Sequence, residues 1–163
     1  MIEPSDAQFT VPIDDRYFED YATGSTYEFG SLTVDERRVI EFAKEFDPQS
    51  FHVDPVAAAS GQFGGLIASG WHTTALMMRL FADNYLSHVA SLASPGIDEL
   101  RWMRPVRPGD TLRLRVTVLE KKRSASKPDR GIVRTFAEML NQNDEVVLRL
   151  TALNLLRLRN PAL

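Results

Sequence analysis

Residues 69–86, SGWHTTALMMRLFADNYL, constrain the fold of this chain more than any other stretch. Ser69 has the chemistry of a helix N-cap, and Trp71, Ala75, Leu76, Met77, Leu80, Phe81 and Tyr85 recur at helical spacing while covering more than one face. A helix apolar around most of its circumference is buried on most sides, so the rest of the chain has to wrap it. The spacing predicts a helix from Gly70 to Leu86.

The second half of the chain supplies the wrapping. IDELRWMRPV, TLRLRVTVLEKK, GIVRTFAEML and EVVLRLTALNLLRLR read as strands. In the second of these, Leu112, Leu114, Val116 and Val118 alternate with Arg113, Arg115 and Thr117 in the period-two pattern of a half-buried sheet. RPGD at 107–110 and NQND at 141–144 are turn chemistry, which makes the last two strands a hairpin. Consecutive strands curled around one very apolar helix give an α+β layer arrangement, and the fold expected is the hot-dog: an antiparallel sheet around a long central helix. Such a sheet leaves an edge and a face to cover, so a homodimer or a higher assembly of dimers is expected.

The first half is less regular. Residues 1–23 read as an N-terminal arm, and YEFGSL, from Tyr27 to Leu32, has the content of a short strand. TVDERRVIEFAKEF carries the pattern of a capping box, Thr33 with Glu36, before Val39, Ile40, Ala43 and Phe46 at helical spacing. That helix ends at Asp47, before Pro48. A second start signal at Asp54–Pro55 opens a short helix, and GQFGG at 61–65 is a flexible connection. The 163 residues read as one domain, with 44% hydrophobic and 25% charged residues, the usage of an ordinary soluble globular protein.

Composition also narrows function. A formal net charge of −3 with no nucleic-acid motif gives no case for a nucleic-acid partner. The absence of cysteine excludes disulfides, thiol catalysis and cysteine-ligated metals. No segment approaches the roughly 18 apolar residues of a membrane span, and the N-terminus lacks the pattern of a signal peptide, so a cytoplasmic location is expected.

The chemistry concentrates in FDPQSFHVDP, which sets Asp47 and His52 five residues apart in a chain with only three histidines. On a continuous helix that spacing turns two side chains about 140° apart. They can cooperate only if the helix breaks, and Pro48 breaks it. A carboxylate and an imidazole brought together this way could hold a water and move protons near neutral pH. The first amides of the central helix, opened by Gly70, point unpaired at whatever lies beyond its end and could hold a developing oxyanion. Each residue also has a plainer role. Asp47 could cap a helix beginning at Pro48, Ser69 could be only a cap, and His72 and His88 read as packing or surface residues. Capping is the commoner role for an aspartate so placed, and the residues alone leave both readings open.

The segment FDPQSFHVDPVAAASGQFGGLIASGWHTTALMMRL resembles the signature of the MaoC-like dehydratases, which include the (R)-specific enoyl-CoA hydratases. Their motif runs Asp-x-Asn-Pro-x-His and on to a glycine opening the central helix; LRWMRPVRPGDTLRL is similar to the strand and turn that follow. The resemblance covers about residues 24–158. It implies that Asp47 and His52 are the catalytic pair and that the Gly70 amide holds the thioester carbonyl. Gln49–Ser50 stands where the pattern has Asn-Pro.

The reaction implied is syn hydration of a 2-enoyl thioester, or its reverse, with an acyl-CoA or acyl-carrier thioester as substrate and neither metal nor other cofactor. Ser69, Phe51, Trp71 and Arg104 are candidates for substrate contact, and Arg101 and Arg107 flank Arg104 as further candidates for a phosphate. Two rival readings keep the fold: a thioesterase, and a non-catalytic thioester-binding protein.

Overall fold

The structure, a computed structural model, describes residues 8–161. Five strands form one antiparallel sheet in the order β1 (Thr26–Thr33), β3 (Thr111–Arg123), β4 (Arg130–Leu140), β5 (Val146–Arg157), β2 (Ser91–Trp102). Between β1 and the central helix α4 (Gly70–Asn84) come α1 (Glu36–Phe46), the single turn α2 (Ser50–Val53) and the short α3 (Pro55–Ala59). Period two sets Leu112, Leu114, Val116 and Val118 of β3, Val133 and Ala137 of β4, and Leu150 and Ala152 of β5 on one buried face. Met77, Leu80 and Phe81 of α4, with Tyr85 just after it, pack into the same core. The outer face carries the charges, many of them in pairs such as Arg115 with Glu138 at 2.9 Å. This is the hot-dog arrangement. Among the described residues no helix is long and apolar enough to cross a membrane.

Several boundaries differ from the sequence expectation. Asp35, not Thr33, caps α1 by accepting from the Arg38 amide at 2.9 Å, because Thr33 is still paired in β1. The central helix stops at Asn84, where the Asn84 amide folds back on the Leu80 carbonyl at 2.8 Å. β2 begins at Ser91 instead of Ile97 and ends at Trp102, so Met103–Val106 are loop. Pro95 and Gly96 are tolerated inside β2 because it is an edge strand with interrupted register. Nor is α4 enclosed on all sides: Trp71 and Met78 are 56% and 46% exposed.

The N-terminal segment is part of the fold rather than a loose arm, although residues 1–7 of the expected arm lie outside the described residues. Two 3-10 turns, Ile13–Asp15 and Phe18–Asp20, carry Phe18 and Tyr21 into the core. Phe18 enters against Gly131 of β4, where any Cβ would overlap its ring, which explains a glycine inside a strand. The buried Arg16 then donates to the carbonyls of Asn84 and Tyr85 at 2.9 and 3.0 Å, and the Tyr21 hydroxyl donates to Tyr85 O at 2.8 Å. The last carbonyls of a helix have no intrahelical partners and carry its negative dipole end, which a guanidinium satisfies twice over. Arg159, from the other terminus, ties the segment down through Asp15 at 2.8 Å and Asp20 at 2.9 Å.

Replacing Arg16 by Ala leaves the Asn84 carbonyl without its donor and the Tyr85 carbonyl with Tyr21 alone, and a stability loss of about 3 kcal/mol is expected, since buried charged hydrogen bonds contribute about 1.5–3 kcal/mol each. A thermal melt checks this: a fall in Tm on the order of 10 °C is expected for a chain of this size. A second prediction concerns His72, which is buried against Phe42 with ring centroids 4.8 Å apart and no partner for Nδ1 among the described residues. Burial, and then the charge of Arg38, holds its pKa below the usual 6.5. The unfolded chain therefore binds the proton more readily, so this contribution is complete above the ordinary histidine value and is lost as pH falls through the lowered one. His72→Phe, which keeps the stack, is expected to flatten the loss of the urea midpoint between neutral and mildly acidic pH relative to wild type.

Candidate active site

The break at Pro48 is what builds the site. α1 ends at Phe46, Asp47 leaves helical geometry at φ −153° and ψ 67°, and a new turn begins at Ser50 with Gln49 as its N-cap. The change of direction brings His52 Nε2 to 3.3 Å from Asp47 Oδ2. The Asp47 carboxylate caps no helix here. Its two oxygens accept instead from the Gln49 side-chain amide at 2.7 Å and from the Ser69 hydroxyl at 2.7 Å. Those two hydrogen bonds, Gln49 first, hold its pKa below the usual carboxylate value, with the neighbouring His52 adding to the effect.

His52 is buried, and its Nδ1 lies 2.8 Å from the Ile67 carbonyl. A carbonyl only accepts, so Nδ1 carries a proton and Nε2 is the nitrogen turned toward Asp47. The Phe51 ring packs edge-on against the imidazole with centroids 4.4 Å apart, and Phe63 packs against Phe51 in turn at 5.5 Å.

Ser69 ties this pair to the central helix. Fully buried, it accepts from the Trp71 amide at 3.3 Å as the N-cap while donating to Asp47. Its hydroxyl is thus engaged on both sides and faces the carboxylate, not the pocket. Gly70 follows as the first residue of α4, so its amide has no intrahelical acceptor. A pocket of about 290 Å³ opens at this point, lined by His52, Gly70, Ile67, Trp102, Arg104 and Val106 among others. The arrangement can polarise a bound carbonyl at the helix end while an acid–base pair works beside it.

The other candidates are dispersed. Trp71 points outward and Phe51 supports His52. Arg104 reaches the pocket and lies 3.4 Å from Glu145. Arg107 donates to the Phe63 carbonyl, bracing the glycine loop, and Arg101 stands on β2 opposite Arg149. Among the described residues no cluster of three or more His, Asp or Glu is placed to hold a metal ion. Sequence reasoning did not foresee the Ile67 carbonyl behind His52 or the Gln49 amide on Asp47. A backbone carbonyl leaves no signal in residue identity, whereas Gln49, two residues from the carboxylate, could have been read as its donor. Ser50 in place of proline leaves the turn intact, because the first residue of a helix has no use for its N–H in either case.

Comparison with known proteins identifies the family of the chain. The family model for the MaoC like domain matches residues 19–138. A MaoC-like dehydratase of Rhodospirillum rubrum is 42% identical and superposes with a TM-score of 0.82, covering 89% of this chain and 99% of that one. The unliganded R-hydratase PhaJ1 of Pseudomonas aeruginosa is 26% identical with a TM-score of 0.67, over 90% and 92% of the two chains. An uncharacterized protein of Bacillus subtilis, YdeM, is 31% identical over 126 residues, 77% of this chain and 88% of that protein. In fold and in sequence, this chain belongs to the MaoC-like domain family.

Proposed function

We propose that the chain acts as one MaoC-like domain that reversibly hydrates a 2-enoyl thioester, or dehydrates the corresponding 3-hydroxyacyl thioester. The observation that carries this reading is the 3.3 Å approach of His52 Nε2 to Asp47 Oδ2 beside the open end of α4. In the hydration direction a water bound between the two side chains loses a proton to the pair as its oxygen bonds to the β carbon. The electron pair of the double bond moves onto the thioester oxygen, where the Gly70 amide holds the charge. A proton then passes from the pair to the α carbon, the enolate collapses and the pair is restored. Both transfers come from one side of the substrate, so addition is syn.

Each residue around the pair has a role in this scheme. Gln49 and Ser69 keep Asp47 ionised and aimed, and the Ile67 carbonyl fixes the tautomer in which His52 Nε2 can take or give a proton. Arg104, at the pocket mouth, is the residue best placed to meet a phosphate of coenzyme A. The hydratase and dehydratase names of the similar structures support the reaction class. We further propose a cytoplasmic location and a homodimer or higher assembly of dimers, in which a second copy covers the β2 edge with the exposed Trp71 and Ile97.

The first test is the ultraviolet absorbance of crotonyl-CoA. Wild type is expected to bleach the conjugated signal without releasing free thiol, and Asp47→Asn to lower turnover by about 10²–10⁴-fold, the contribution of a general acid–base group. Thiol release would assign a thioesterase instead, and an Asn variant of full activity would remove Asp47 from the chemistry. Ser69→Ala, which frees one carboxylate oxygen and removes the cap, is expected to cost about 1 kcal/mol of stability as a lost cap. Its kcat is expected to fall with little change in KM, which steady-state kinetics with a parallel melt resolves.

A further inference from the structure

Strand β2 changes register with its neighbour just before its last two residues. Ile97 and Asp98 stand opposite Ala152 and Thr151 of β5, yet Arg101 and Trp102 stand opposite Arg149 and Leu148. From Asp98 to Arg101 the strand advances one residue more than β5 does, and within this bulge Glu99 takes the left-handed conformation, φ 52°. Non-glycine residues seldom adopt that region. One extra residue reverses which face every later side chain occupies. Without it Arg101 would oppose Leu148 on the helix side, and Trp102 would turn outward. With it, the indole of Trp102 lies on the first turn of α4.

The contact there is close and directed. A Cβ at Gly70 would overlap the Trp102 ring, so the residue whose amide opens the helix is also the one that leaves room for the indole. Trp102 Nε1 donates to Thr74 Oγ1 at 3.1 Å, and Thr74 donates to the Gly70 carbonyl at 2.8 Å, which fixes the ring to that turn. Trp71 meets it edge-on with centroids 5.2 Å apart. Trp102 thereby forms one wall of the pocket that His52 and Gly70 also line, whose roughly 290 Å³ lies at the small end of the range for ligand sites.

We infer that Trp102 is a specificity-determining residue that closes this pocket to long acyl chains and restricts the protein to thioesters of short acyl groups. The inference rests on the acyl-thioester reading of the site, and the bulge at Glu99 is the device that puts the ring in place.

The test separates binding from turnover. Butyryl-CoA and dodecanoyl-CoA, both saturated and therefore unreactive toward hydration, are titrated by calorimetry into wild type, Trp102→Ala and Trp102→Phe. Wild type is expected to favour butyryl-CoA, and Trp102→Ala to shift the affinity ratio toward dodecanoyl-CoA by about tenfold or more, the scale on which an apolar pocket discriminates chain length. Trp102→Phe is expected to shift it in the same direction by less, and it carries the test alone if the Ala variant does not fold. A folded variant of wild-type oligomeric size with an unchanged ratio overturns the inference, as does a wild type that prefers the long chain. If the ratio shifts while crotonyl-CoA is not hydrated, the hydro-lyase reading fails and the role of Trp102 stands. If wild type binds neither thioester, both fall.

Discussion

The packing of α4 into the concave face of the sheet is the constraint on which the rest of the structure depends. A helix of this composition has no stable exposed state, and its Met77, Leu80 and Phe81 are satisfied only when β3, β4 and β5 curve around them. Once buried, the helix presents two ends that must be dealt with. The C-terminal carbonyls are taken up by Arg16 and Tyr21 from the N-terminal segment, which is why that segment is fixed to the body. At the N-terminal end the Gly70 amide is left without an intrahelical partner, beside the pocket.

That division explains the economy of the site. Ser69 is at once the cap of the helix and a hydrogen-bond donor to Asp47, so the position of the carboxylate is referred to the helix end, not to the loop that bears it. His52 is referred to the same strip of backbone through Ile67, two residues before Ser69. The carboxylate, the imidazole and the Gly70 amide are therefore held to one another through a few bonded contacts within residues 67–70. The proton transfer proposed for this site needs such preorganisation, because misplacement by an ångström is costly to rate. Trp102 extends the same frame to the pocket wall, being fastened to Thr74 one turn further along.

Much of this was legible in residue order wherever the cause is local. The period-two run of β3 and the turns at 107–110 and 141–144 follow from rules that act over a few residues, and the structure has them there. The Asp47–His52 pair was legible too, since Pro48 dictates a break and a break is all that five-residue spacing needs to converge. Where local signals competed, the reading slipped. Thr33 and Asp35 both offer a cap to α1, and strand pairing of Thr33 with Thr111 decides for Asp35.

The sequence by itself thus determined the central helix, the alternation of the strands and the convergence of Asp47 with His52, because each is encoded in spacing along the chain. Only the tertiary structure decided that Ser69 holds Asp47, that Arg16 closes the far end of α4 and that a one-residue bulge turns Trp102 inward. Those contacts join positions separated by 22, 68 and 28 residues, and no short-range propensity distinguishes a serine that caps from one that also steers a carboxylate. The face on which Trp102 lies depends on the register between two strands, and register is settled by the packing of whole surfaces.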